Sequence, residues 1–338
     1  MKYIFSTLAL IICFTINSVS QDIHLSQFNA SPANLSPALT GLFNGDYRFV
    51  ANQRSQWRSI TSPNTFSTFG GSIDTKGVLN NKNIGCGVSI YNDIGGDADF
   101  TTLQINFSVS YSKKITQDSS HVLVLGVQSG LTQRNLNFNK LRFDNQYSGK
   151  YYDPNIFNQE SFNTNKLNYA NLNGGICWVF NYSEKLNFLS GLGIFNINKP
   201  KQSFFNTAEI ALDRRFNLFT NAHVKLSEKL VLMPGILSVF QGKYREKVFG
   251  CDLKHILNSN KNNFRALNIG MWRRTKDAGF LSLGIDYDNI TAAISYDITT
   301  SKLNNASNYK GGFEFSVIYI ITKFKPPYTK YRVCPSFI

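Results

Sequence analysis

The chain is short of the residues on which most catalytic sites are built. Four histidines, five cysteines, three tryptophans and three methionines are spread over 338 residues. No HExxH, GxSxG or Cys-His signature surrounds His24, His121, His223 or His255, so each histidine reads as a turn or wall residue. The cysteines show neither CxxC nor zinc spacing. Cys86 and Cys177 fall in alternating apolar segments, where a small apolar wall residue is the simplest reading, and Cys251 and Cys334 need not pair. Glu160, Glu209 and Asp213 form no acid pair. Gly95-Gly96-Asp97-Ala98-Asp99 offers two carboxylates but lacks the other ligands of a calcium loop, so a solvated loop is expected. The chain reads as a non-enzyme without metal or cofactor.

Two further scarcities narrow the class. Beyond the amino terminus no segment approaches the ~18 consecutive apolar residues of a membrane helix. A membrane-crossing form would therefore have to be a closed sheet, because hydrocarbon offers no partner to an unpaired strand edge. Acidic residues are few: 21 against 35 basic ones, a net charge of +14. The Lys and Arg residues are scattered through turns and loops, and no nucleic-acid fold signature accompanies them. That pattern excludes nucleic acid and suits anionic lipid headgroups or an acidic partner.

The amino terminus supplies an address. Lys2 forms a basic n-region, Leu8 to Ile16 an apolar h-region, and Ser18-Val19-Ser20 a cleavage site that leaves Gln21 first in the mature chain. Residues 1–20 are thus expected to be a signal peptide. Cys13 does not make a lipobox, since Ile12 stands where a small residue is needed.

The dominant pattern after that is period two. Leu103, Ile105, Phe107, Val109 and Tyr111 alternate with Gln104, Asn106, Ser108, Ser110 and Ser112, which gives a two-faced strand of the length that crosses a bilayer at a tilt. Ile84, Cys86, Val88 and Ile90 alternate with Gly85, Gly87 and Ser89; Phe313, Phe315, Val317, Tyr319 and Ile321 alternate with Glu314 and Ser316. Abundant Phe, Tyr, Asn, Ser and Gly with a slightly negative mean hydropathy fit such walls. Strands are predicted over Tyr47–Trp57, Phe66–Asp74, Asn83–Tyr91, Leu103–Lys113, Val122–Arg134, Asn168–Phe180, Asn187–Ile197, Phe216–Lys225, Leu230–Gln241, Val248–His255, Phe264–Arg273, Gly279–Tyr287, Ile290–Asp297 and Gly311–Thr322. Pro234 makes Leu230–Gln241 the least regular and suggests a bulge.

About fourteen strands is an even count, as a single-chain bacterial barrel requires. The odd-numbered connections include the three longest, Asn135 to Leu167, Asn198 to Arg215 and Ile298 to Lys310. Even-numbered ones such as Ser227-Glu228-Lys229 and Asp288-Asn289 are tight. Long outside and short inside is the asymmetry of an outer-membrane barrel, and a soluble sandwich has no need of it. The fold class is all-β, a transmembrane antiparallel barrel over residues 47–323 with both termini periplasmic.

Two segments flank that wall. Residues 21–46 are interrupted by Pro32 and Pro37, and with Gln27, Phe28, Ser31, Ala38, Gly41, Gly45, Asp46 and Arg48 are expected to form a structured segment inside or beneath the barrel. Asp46 and Arg48, two apart, should share a lumenal face. Residues 324–338 form a periplasmic tail carrying Tyr328, Tyr331, Arg332, Cys334 and Phe337. The connection after the fifth strand is too long for a mere link, and Arg142, Phe143, Tyr147, Tyr151, Tyr152, Asp153 and Phe157 give it the content of a partner-binding surface.

At the mature amino terminus the residues become specific. Gln21-Asp22-Ile23-His24, followed by SQFNASPANLSPALTGLFNGDYRFVANQRSQW from Ser26 to Trp57, resembles the opening of the PorP/SprF family, membrane barrels of type IX secretion and gliding in Bacteroidota. GLTQRNLNFNKLRFDNQY with Tyr152-Asp153-Pro154, NINKPKQSFF from Asn196, Gln241-Gly242-Lys243, Gly284-Ile285-Asp286-Tyr287, Ser295-Tyr296-Asp297 and Gly311-Gly312-Phe313-Glu314 are similar to further blocks of that family, in its order. The ending Arg332-Val333-Cys334-Pro335-Ser336-Phe337 departs from the family's usual cysteine-proline-arginine-aromatic finish. The resemblance implies an outer-membrane component beside the secretion machinery. Its partners would be periplasmic ring or peptidoglycan-linked proteins, or a large cell-surface adhesin whose secretion or attachment it supports. The alternative is a porin-like diffusion channel, which needs an unobstructed lumen.

Overall fold

The computed structural model describes residues 22–58, 66–153, 155–156, 164–204, 210–260, 263–301 and 304–322. Outside them lie residues 1–20, where a signal peptide is expected, Gln21, Pro154, Phe157, Glu160, Glu209 and the segment with Tyr328, Tyr331, Arg332, Cys334 and Phe337.

Fourteen antiparallel strands close into one barrel, each bonded to its neighbours in sequence, with the first bonded to the last. They are β1 Tyr47–Gln56, β2 Phe66–Lys76, β3 Ile84–Gly95, β4 Phe100–Lys114, β5 His121–Asn135, β6 Lys166–Ser183 and β7 Leu186–Phe195. The set continues with β8 Arg215–Lys225, β9 Leu230–Gln241, β10 Tyr244–Asn260, β11 Asn263–Arg274, β12 Ala278–Tyr287, β13 Ile290–Thr299 and β14 Lys310–Ile321. Closure is seen in the pairing of Tyr47 with Ile321 and of Gln56 with Gly312. Both ends of the wall therefore lie on one rim, called here the terminal rim; the connections 136–165, 196–214 and 300–309 all leave the opposite one, the loop rim.

Polarity is inverted relative to a water-soluble domain. On β4, Ile105, Phe107 and Tyr111 are exposed while Asn106, Ser108 and Ser110 are buried. The same inversion holds for Val88 and Ile90 against Ser89, and for Phe313 and Phe315 against Glu314. Apolar side chains outside and polar ones inside are stable only where the outer medium is hydrocarbon, and the alternation of period two produces both faces from each strand. Among the described residues no helix is long and apolar enough to cross a membrane, a condition that leaves strands unaddressed.

Three details depart from the sequence reading. Pro234 causes no bulge: β9 pairs with β10 without a shift, Pro234 facing Cys251. Instead the ladder to β8 skips from Asn221–Gly235 to Val224–Leu232 in unchanged register, because proline has no N–H to contribute. The register shifts lie near strand ends, at Asn181/Ser183, Ile256/Asn258 and Asp297/Ile298. Asp46 lies just before β1 rather than on it, its N–H bonded to Ile321 O at 2.8 Å.

The outer belt generates a direct test. Phe107→Arg places a charge at mid-strand on the hydrocarbon face and should destabilise the barrel by about 2–4 kcal/mol, whereas Ile115→Arg at the rim should cost only about 0–1 kcal/mol. Urea unfolding from lipid vesicles reads both; equal costs would mean that the belt does not sit in lipid.

Candidate functional site

The lumen is occupied by the chain's own amino-terminal segment. From Asp22 near the loop rim it runs down the barrel to Asp46 at the terminal rim, in short turns rather than regular structure: a 3-10 turn at Phe28–Ala30, a helical turn α1 at Pro32–Leu35 and a second 3-10 turn at Pro37–Leu39. Pro32 and Pro37 each open their turn, where a fixed φ and a missing N–H cost nothing. Turns of this length leave many main-chain groups without local partners, and the wall supplies them.

The strongest attachment is ionic. Glu314 accepts the main-chain N–H groups of Ser26 at 2.7 Å and Gln27 at 2.9 Å. Asp297 accepts the Ser26 hydroxyl at 2.8 Å, pairs with Arg54 at 2.9 Å and lies 3.3 Å from Arg274. Arg54 also donates to His24 O at 3.0 Å, and Arg274 donates to the Ser26 hydroxyl at 2.7 Å and to Asp277 at 2.9 Å. Arg54, Arg274, Asp297 and Glu314 are almost completely buried. Gln27 extends the layer, donating to Ser295 at 3.2 Å and accepting from Ser316 at 2.6 Å.

Two other polar contacts hold the segment lower and higher. Arg48 pairs with Asp74 through two bonds, at 2.9 and 2.6 Å, and donates to Leu39 O at 2.9 Å, while Asp74 also accepts the Gly41 N–H at 2.7 Å. Towards the loop rim Arg215 donates to Ile23 O at 3.0 Å and to the Asn34 side chain at 2.9 Å, and Asn217 donates to Leu35 O at 3.0 Å. Asn196 donates to Asp22 at 2.8 Å.

On the β5–β7 side the contact is steric. A Cβ on Gly126 would fall 2.3 Å from Ala38 N, one on Gly175 2.2 Å from Ser36 Oγ, and one on Gly193 2.4 Å from Leu35 O. Glycine at these lumenal positions lets the turn lie on bare backbone. Gly41, at φ +70, is packed so that its Cβ would meet Gly85 Cα at 2.8 Å. Phe28, Leu35, Ala38 and Leu39 then complete an apolar core inside the barrel with Val124, Cys177, Phe219, Leu237, Val248, Trp272 and Phe280.

Of the residues singled out in the sequence, Gln27, Phe28, Ser31, Pro32, Pro37, Ala38, Gly41 and Arg48 meet wall or turn partners in this lumen, and Gly45 packs against Ile320 at the terminal rim. His24 is neither turn nor wall; it lies on the plug, half-buried beside Arg54 and Arg274. In the long connection Arg142 lies over Tyr152 at 5.0 Å, Tyr152 meets Tyr147 at 5.7 Å between ring centres, and Asp153 N bonds to Gln146 O at 2.9 Å. Phe143 closes the turn through its N–H on the Gln146 side chain at 3.1 Å, and Tyr147 and Tyr151 are exposed. Asp99 is paired with Lys140, and among the described residues no cluster of His, Cys, Asp and Glu is arranged to hold a metal. Cys86, Cys177 and Cys251 are free thiols. The ionic layer itself was not anticipated. Its signal was present: Arg54, Arg274, Asp297 and Glu314 are charges inside alternating membrane strands, where an ionisable residue is costly unless it has a task.

A family model described as "Type IX secretion system membrane protein PorP/SprF" matches residues 17–319. No curated protein matches the chain. Among solved structures the chain is similar to the Ralstonia pickettii toluene transporter TbuX at 11% identity and a TM-score of 0.51, covering 85% of this chain and 92% of that one. It is likewise similar to the Pseudomonas putida toluene transporter TodX at 9% identity and a TM-score of 0.51, covering 88% of this chain and 94% of that one. At such identities the likeness is one of fold.

The ionic layer predicts a separable plug. Arg54→Met leaves Asp297 and Glu314 buried without their main cation and should weaken the seated plug by about 3–5 kcal/mol. Amide exchange would then accelerate across residues 22–41 while the strands stay protected; uniform loss of protection would mean that plug and wall unfold as one. His24 adds a pH dependence. Burial first, then Arg54, Arg274 and Arg215, hold its pKa well below 6.5. A released plug would take up a proton at the ordinary value, so seating is fully stable at neutral pH and is lost as pH falls below about 6.5. Cys177 lies under Ser36 at 3.9 Å, and its alkylation reports release. Relative to His24→Gln at each pH, the wild type should label progressively faster on acidification, and a constant ratio would remove His24 from the mechanism.

Proposed function

The chain belongs to the PorP/SprF family of type IX secretion system membrane proteins, and from that premise we propose that it is a non-enzymatic partner barrel of the outer membrane. In this reading the terminal rim is periplasmic, and residues 1–20 are removed on export. The loop rim presents the Arg142, Phe143, Tyr147, Tyr151, Tyr152, Asp153 and Phe157 region to an adhesin-like substrate. The tail from Lys323, with Tyr328, Tyr331, Arg332, Cys334 and Phe337, offers a second contact to periplasmic ring or peptidoglycan-linked components.

One observation carries the preference for docking over free diffusion: the lumen is occupied from rim to rim by residues 22–46, fixed by buried ion pairs at Arg48–Asp74 and Arg54–Asp297. A porin-like channel needs that space. A rigid barrel with a closed lumen instead supplies two firm end surfaces, and the aromatic and arginine content of the long loop is of the kind that forms interface anchors.

Deleting residues 148–163 tests the assignment. Loss of co-purifying secretion-system protein from native membranes, with the barrel still folded and bilayer conductance still low, is the expected result. Unchanged recovery of the partner together with a rise in conductance would make the loop a constriction and favour the channel.

A further inference from the structure

Beside the plug, on the β9–β14 side, the lumen is not filled. A cavity of about 180 Å³ lies between Ser26–Ala30 and the wall, its lining made of an aromatic part, Phe28, Trp272 and Phe280, and a charged part, Asp252, Lys254 and Asp286. Its lining descends to Thr291 and Ile318, close to the strand ends at Ile290 and Ile321, so it faces the terminal rim. An apolar void of about 150 Å³ takes up benzene, and this space is therefore right for a small organic group.

The aromatic side is rigid: Phe28 meets Trp272 edge-on at 5.4 Å, and Trp272 stacks on Phe280 at 6.2 Å. The polar side carries an imbalance. Lys254 lies 2.7 Å from Asp286, which also accepts Thr291 at 2.8 Å and Asn268 at 3.3 Å. Asp252 is held only by neutral donors, Trp272 Nε1 at 3.1 Å and the Ser282 hydroxyl at 3.0 Å, both on the same oxygen. Among the described residues it has no ion-pair partner. Its place is built in, because a Cβ on Gly270 would fall 1.8 Å from Asp252 Oδ1 and 2.1 Å from Ser282 Oγ.

We propose that this cavity binds an alkylammonium group, carried either by a free organic amine or by a lysine side chain of a peptide reaching in from the terminal rim. The ammonium would take the carboxylate of Asp252 as its counter-charge, and the alkyl stem would cover the aromatic side. A neutral group of the same size leaves that carboxylate uncompensated, and an anion is repelled by it.

Calorimetry on the purified full-length barrel in detergent tests this with butylammonium, butanol and butyrate as size-matched probes. Saturable one-to-one binding of butylammonium alone is expected, weakened about tenfold or more in Asp252→Asn, as loss of a charge-assisted contact implies. Ala293→Leu fills the cavity from β13 and should abolish binding while the heat-shifted gel mobility of the folded barrel is retained. N-acetyl-lysine amide then separates the sources: tighter binding than butylammonium supports a peptide side chain, and weaker binding supports a free amine. Equal binding of butanol, undiminished binding to Asp252→Asn, or binding that survives Ala293→Leu would overturn the proposal.

Discussion

Everything inside this barrel depends on two carboxylates meeting two guanidinium groups around a serine. Glu314 and Asp297 take the main-chain and hydroxyl donors of Ser26 and the N–H of Gln27, and Arg54 and Arg274 close the layer from β1 and β11. Buried ion pairs of this kind contribute little net stability over an apolar core, because desolvation offsets the attraction. What they impose is position. A carboxylate that must find two consecutive main-chain N–H groups and a guanidinium accepts one register of the plug, and a plug shifted by a residue would leave several buried charges unpaired.

That constraint answers a problem set by strand number. Fourteen strands enclose more space than the side chains of a small barrel can fill, and an inside-out polarity lines the space with polar residues that need partners. The plug solves both at once. Its broken turns expose main-chain carbonyls, to which Asn217, Arg215, Ser110 and Arg48 donate, while Phe28, Leu35, Ala38 and Leu39 cover the apolar side chains that the wall turns inward. Glycines complete the fit on β5, β6 and β7, so the same residue type that weakens a strand in isolation is what lets a second piece of backbone lie against it.

Much of the fold was legible because period two is a local signal. Strand number, order and most boundaries follow from alternation and from turn residues between segments; Leu230–Gln241 is recovered to the residue in spite of Pro234. Boundaries ran short where strands project past the apolar belt, as in β10, read as Val248–His255 and observed as Tyr244–Asn260, since polar ends carry no hydrophobic period. The site was less legible. Which lumenal group meets which is a matter of sequence separations up to 289 residues, as between Gln27 and Ser316, and no periodicity encodes that. Arg48 finds its carboxylate not nearby in sequence but in Asp74 on the next strand. Blocks such as Ser295-Tyr296-Asp297 and Gly311-Gly312-Phe313-Glu314 stood out by resemblance before their reason was visible: each carries one of the two carboxylates that hold the plug.

The attachments are unevenly distributed, and the distribution shapes what the barrel can do. Ion pairs from β1, β11, β13 and β14 fix Ser26 and Gln27, and bare backbone on β5, β6 and β7 fixes Leu35 to Ala38. Between these two holds a recess opens beside the plug, with Asp252, Trp272 and Phe280 among its lining. A plug tied on two sides runs from rim to rim yet leaves a recess facing the terminal rim. In the proposed reading the plugged barrel gives its ends firm surfaces for protein contacts, and the recess is where the same lumen would receive an alkylammonium group.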